Sequence, residues 1–192
     1  ARPTAEEQRY GLGTGANLLN WGELDPRFDL ERSPRDGNHF GWVVEIDPYD
    51  PKLPPTKRTA LGRLRHESAT PAIARDGRVV IYLTDDQAFE YIYKFVSARP
   101  WQPDKRQANR ELLDEGTLYV ARFGSDGAGE WRELVHGRNG LSAENGFASQ
   151  AEVLIHARLA ADRVGGTKMD RGQWIAVEPE RGTVYCALTG NP

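Results

Sequence analysis

Three groups of charged residues stand where this sequence could do chemistry. Arg65-His66-Glu67 precedes an apolar run, Asp85-Asp86 follows another that ends at Leu83, with Glu90 close behind, and Asp170-Arg171 precedes Trp174-Ile175-Ala176-Val177. Each group falls at the end of an expected strand, where loops on a rigid frame build sites. Carboxylate oxygens clustered within a few residues suit calcium, which takes roughly 6 to 8 of them, so Asp85, Asp86 and Glu90 form one candidate metal cluster. Their spacing fits no EF-hand loop, and the competing reading is a solvated turn whose Asp side chains bond nearby N–H groups. Glu67 beside His66 reads either as a metal ligand or as part of a capped strand entry. Arg171 beside Asp170 reads either as a structural ion pair or as a planar clamp that grips a phosphate bidentately.

Other routes to function are closed. The chain has no Gly-rich phosphate loop, no Ser nucleophile elbow, no His-Glu-x-x-His and no Cys pair. His39, His136 and His156 share no spacing, and the lone Cys186, in an apolar stretch, has no internal disulfide partner and reads as a small buried hydrophobe. A formal net charge of -3 with both signs interspersed leaves no basic stripe for nucleic acid. No apolar run approaches the roughly 20 residues that cross a bilayer, and residues 1–10 are too polar for a signal peptide, so neither a membrane partner nor a targeting signal is expected in this chain.

The elements that must position these groups are mainly strands. Residues 1–38, rich in Gly, Asn, Pro and Arg, read as irregular structure with Trp21 and Phe28 as apolar anchors. Residues 40–46 (FGWVVEI) predict a strand stopped by Asp47-Pro48. Apolar runs at 72–74, 79–83 and 90–96 follow, with Asp76-Gly77 as a hairpin turn between the first two. The pattern recurs at 117–123 and 130–135 across a Gly-rich turn, and at 174–177 and 183–188. Short strands between Gly turns predict antiparallel meanders, as in the blades of a β-propeller, within a single domain spanning residues 1–192. Two helices interrupt them. One of about four turns covers 149–164, with Ser149 as N-cap and Val153, Leu154, Ala157, Ala160, Ala161 and Val164 on one face; a shorter one covers 107–113.

The same words in the same order carry a family resemblance. Phe40-Gly41-Trp42-Val43-Val44-Glu45-Ile46-Asp47-Pro48, 57–67 ending in His66-Glu67, Glu90-Tyr91-Ile92-Tyr93-Lys94-Phe95-Val96, 112–121, Gln150-Ala151-Glu152, and 167–177 with Asp170-Arg171 resemble PhoX-type alkaline phosphatases over nearly the whole chain. The resemblance implies a partial β-propeller that belongs to a larger catalytic domain. It also implies calcium and iron as cofactors, phosphate monoesters as substrate, and a periplasmic or secreted full-length protein. It makes Glu67 a metal-ligating glutamate and Arg171 the arginine that stabilises charge on the equatorial phosphoryl oxygens during in-line attack. Where the family usually reads Arg-Pro-Glu before the Trp, this chain reads Arg171-Gly172-Gln173, so Gln173 offers the metal a neutral amide. The family's Thr-Cys-Glu-Glu segment is absent, and Cys186 lies outside any such motif. The chain is therefore expected to be an internal piece, inactive alone, whose open sheet edges invite self-association. The alternative expectation is a non-catalytic calcium-binding propeller.

Overall fold

A computed structural model describes residues 3–13 and 20–190. The backbone groups into two compact units, Ala1–Gly41 and Trp42–Pro192. In the first, helix α1 (Ala5–Arg9) opens on a capping box: the Thr4 hydroxyl accepts the Glu7 N–H at 3.2 Å, and the Glu7 carboxylate accepts the Thr4 N–H at 2.7 Å. Helix α2 (Trp21–Leu24) leads into single 3-10 turns at Pro26–Phe28 and Asp36–His39. Trp21, Phe28 and Phe40 stack in series, with ring centroids 5.7 and 5.2 Å apart. Sequence alone reads this stretch as irregular; the structure gives it short helical turns, and the part of that reading on residues 1–2 and 14–19 lies outside the described residues.

The second unit is mainly β. Strands β1 (Val44–Glu45) and β2 (Thr56–Lys57) form a minimal antiparallel pair. The strand expected over 40–46 is only two residues long, and it stops after Glu45 because the next partner along the ladder is Pro55, which has no N–H to give. Next comes a five-stranded antiparallel meander in sequence order, β3 (His66–Ile73), β4 (Arg78–Asp85), β5 (Ile92–Pro100), β6 (Gly116–Phe123) and β7 (Gly129–Glu133). The hairpin β8 (Gly172–Val177) and β9 (Val184–Leu188) makes a third, separate sheet. Among the described residues no sheet closes on itself.

Strand alternation sorts the meander's two faces. Ile81 and Leu83 of β4 stand opposite Phe95 and Tyr93 of β5, which stand opposite Leu118 and Val120 of β6, and all six are buried under helical segments. Those segments are α3 (Gln150–Ile155) and α4 (Ala157–Arg163), whose Val153, Ala157, Ala160 and Ala161 complete this core with Leu61 and Leu64. The opposite face carries Ile92 and Ala121, which pack with Ile175 of β8 and with half-buried Tyr82, Trp131 and Cys186. Lys94 lies on this face with its Nζ 4.5 Å from the Trp131 ring centre and 5.3 Å from that of Tyr119, and burial lowers its pKa.

Two helix expectations are corrected. The helix expected over 149–164 starts as foreseen, with Ser149 capping the Glu152 N–H at 3.3 Å, but breaks at His156 into α3 and α4. Arg63 explains the break: its backbone N–H takes the Leu154 carbonyl at 2.9 Å and its guanidinium takes that of Ile155, so carbonyls a continuous helix would use point outward. The helix expected over 107–113 is only a 3-10 turn at Arg106–Asn109, because the Asn109 amide bonds both the N–H and the C=O of Gln102.

β6 begins where it must lie against β5. A Cβ at Gly116 would come within 2.3 Å of the Val96 carbonyl oxygen and 2.4 Å of the Phe95 ring. Gly116→Ala therefore forces backbone to move and is expected to cost about 3 kcal/mol, measured as a lower denaturation midpoint at unchanged slope.

Candidate functional site

The turn after β4 is anchored from beneath by a buried ion pair. Arg158 on α4 and Asp85 at the end of β4 are both fully buried, with Nε–Oδ2 at 2.7 Å and Nη2–Oδ1 at 2.5 Å, a bidentate fork. Glu90 joins this pair, 3.7 Å from the same Nε. Burial pushes the Asp85 carboxyl up from its ordinary range, and the Arg158 guanidinium pulls it back. A charge placed there without its partner would be uncompensated in low dielectric, so each side chain fixes the other.

This anchor sets the backbone on either side of it. The Asp86 N–H bonds the Arg65 carbonyl at 2.8 Å, and Phe89 and Met169 exchange backbone bonds with Met169 and Glu90 at 3.0 and 2.9 Å. The second exchange carries the strand-entry segment 167–171 to the turn. Gly172 then passes so close to β4 that a Cβ there would lie 2.9 Å from the Thr84 side chain. One rim thus gathers the entry of β3, the exit of β4 and the entry of β8.

On this rim lie Glu67, Asp86, Arg171 and Gln173. The Arg171 Nε donates to Asp86 Oδ1 at 2.6 Å. The Gln173 amide nitrogen donates to Glu67 Oε1. Glu67 also acts on Arg171 through space, and together with the Asp86 contact it raises the guanidinium's pKa, Asp86 contributing most. Arg171 is 48% exposed and Asp86 19%. The backbone of Arg171 is left-handed, φ 55°, a conformation that favours glycine, and is held by the Thr189 N–H on its carbonyl at 3.1 Å. Below the rim, His66 donates Nε2–H to the Gly62 carbonyl at 3.0 Å, leaving Nδ1 buried without a hydrogen-bond partner among the described residues. Burial pushes this imidazole down to about 4, so it is neutral at ordinary pH.

The structure therefore brings together Glu67, Gln173 and Arg171, and separates the expected calcium cluster. Asp85 and Glu90 lie on Arg158, while Asp86 lies on Arg171. Among the described residues no three His, Cys, Asp or Glu side chains gather as a metal ion would need. Glu67, the Gln173 carbonyl and the Asp86 oxygen not bonded to Arg171 are the side-chain oxygen donors on the rim, fewer than a complete calcium shell takes. Arg158 escaped sequence reading, although a lone cation among Ala157, Leu159, Ala160 and Ala161, and an acid at the end of an apolar strand, were the signal of a buried pair.

The family description that matches this chain is "Alkaline phosphatase PhoX", over residues 2–192. The chain belongs to the PhoX alkaline phosphatase family. A solved structure of Pseudomonas fluorescens PhoX, in complex with vanadate, a transition state analogue, is 52% identical to it with a TM-score of 0.95. The likeness covers 100% of this chain and 34% of that PhoX chain, so the chain spans about a third of the length of this relative. A search of curated proteins finds no match. The likeness runs the length of the chain and so takes in the segments that form the rim.

Two outcomes test this geometry. Arg158→Met strands Asp85 and Glu90 without their cation and is expected to cost about 3–5 kcal/mol, part of which Asp85→Asn restores; purely additive losses on denaturation would refute the pair. At position 171 the usual order of residue preference should invert. Arg171→Gly is expected to melt about 2–4 °C above Arg171→Ala, because the left-handed backbone suits only glycine without strain.

Proposed function

We propose that this chain forms part of the active centre of a phosphomonoester hydrolase, with Arg171 as the group that contacts phosphate. The observation that carries this reading is the outer edge of the Arg171 guanidinium. Asp86 takes its Nε, and neither terminal amino group makes a hydrogen bond among the described residues. Such an edge offers two parallel N–H donors to a tetrahedral oxyanion, and it can follow charge onto the equatorial oxygens as the phosphoryl group transfers. Membership of the PhoX family, and the vanadate bound by the relative from Pseudomonas fluorescens, support the same chemistry.

Glu67 is proposed as the chain's donor to a cation, with Gln173, bonded to it through the amide nitrogen, offering its carbonyl as a second oxygen. Calcium and iron, the cofactors implied by the resemblance, would need further donors from other parts of a longer protein. On this reading the five-stranded meander is one blade of a propeller, both units belong to one larger catalytic domain, and the full-length protein works in the periplasm or outside the cell. The 192-residue chain by itself is then inactive.

The full-length protein, assayed on p-nitrophenyl phosphate at alkaline pH with calcium and iron supplied, should turn over. Arg171→Ala should lower kcat/KM by about 100-fold or more, a loss typical of one electrostatic donor to a transition state. A wild-type protein that folds, holds its metals and does not hydrolyse the ester would sink this reading and favour a non-catalytic calcium-binding role.

A further inference from the structure

Asp86 stands out on the rim because, among the described residues, its one side-chain hydrogen bond is with Arg171, and the geometry of that bond is selective. A guanidinium has two edges that can take an oxyanion bidentately: the side, through Nε and one Nη, and the end, through both Nη groups. At 2.6 Å from Nε, Asp86 occupies the side and leaves the end. The base of the carboxylate is rigid. Its backbone N–H bonds the Arg65 carbonyl, and its neighbour Asp85 is locked to fully buried Arg158. The base of the arginine is rigid as well, its left-handed residue tied through the carbonyl to the Thr189 N–H and, at 3.3 Å, to the Thr189 hydroxyl. Between these two fixed points the Arg171 side chain is half exposed and makes no other hydrogen bond among the described residues. Released from Asp86 it would sample several rotamers, and binding a ligand would then have to order it.

We propose that Asp86 is a positioning residue: it holds Arg171 by Nε so that the end edge of the guanidinium meets the phosphate group bidentately. The inference rests on the reading of Arg171 as the phosphate contact, and it takes Asp86 out of the metal cluster in which sequence placed it. A surface pair this exposed adds little to folding, so its use is orientation. Lysine cannot replace arginine in such an arrangement, because a point charge has no side edge to be held and no end edge to present.

The test uses the full-length protein with its metals. Asp86→Asn keeps the shape and removes the charge; Asp86→Glu keeps the charge on a longer stem and guards against a fold defect. Inhibition by inorganic phosphate should weaken about tenfold in Asp86→Asn, the scale of one charge-assisted hydrogen bond, with kcat/KM falling alongside. Melting temperature and calcium and iron content should stay at wild-type values, and Asp86→Glu should recover part of the loss. In an Arg171→Lys background, Asp86→Asn should add almost nothing, because the group it positions is gone. Wild-type phosphate inhibition in Asp86→Asn, or full additivity with Arg171→Lys, overturns the positioning role while leaving Arg171 in place. Loss of bound metal in Asp86→Asn overturns it in favour of cation ligation. If Arg171→Lys alone leaves phosphate inhibition unchanged, the phosphate reading fails and this inference fails with it.

Discussion

A guanidinium and a carboxylate, both withdrawn from water, hold the working end of this chain together. Neither Arg158 nor Asp85 is tolerable in the core alone, since an isolated ion there costs far more than the whole net stability of a domain of this size. Hydrophobic burial would bring α4 onto the meander at many small offsets. The fork between Nε, Nη2 and the two Asp85 oxygens selects one, because a bidentate pair has a direction as well as a distance. From that point position is passed on by backbone. Asp86 is bonded to residue 65, residues 89 and 90 to Met169, and Met169 lies two residues before Arg171. The exposed group thus inherits its place from a pair that never meets solvent.

The rim itself is assembled under strain that the fold can bear. A left-handed arginine is an expensive choice where glycine would fit, and glycine does stand in the next position, where β8 must graze Thr84. Hydrogen bonding gives little reason for such a φ, since the Arg171 side chain is half exposed and, among the described residues, its one side-chain hydrogen bond is to Asp86. Strain without a structural return is the pattern expected of residues kept for what they contact rather than for what they stabilise.

Much of this was legible in the sequence. Short apolar runs separated by charged and Gly-rich turns marked the hairpins of β3–β4, β6–β7 and β8–β9. Glu67, Gln173 and Arg171 were singled out through family words and meet on one rim. What failed to show were contacts set by distant residues. Nothing local in 149–164 announces that Arg63 will take two of its carbonyls and break the helix at His156. Asp85, Asp86 and Glu90 looked like one cluster because sequence gives spacing without direction: Asp85 ends β4 buried on Arg158, while Asp86, just past the strand, lies on half-exposed Arg171.

Gln173 gives the rim its particular electrostatics. An amide beside a carboxylate can donate only from its nitrogen, so the bond to Glu67 fixes which way the amide lies and turns its carbonyl away from Glu67. A glutamate at this position would set two carboxylates edge to edge. Like charges that close do not both stay ionised unless a proton or a cation lies between them. With glutamine the pair is satisfied by its own hydrogen bond. The rim then carries Glu67 and Asp86 against Arg171, an excess of one negative charge where the glutamate form would have two. That difference acts in two directions. It weakens the pull on any cation beside Glu67 and, on the proposed reading of Arg171 as the phosphate contact, lessens the repulsion that an incoming phosphate dianion would meet.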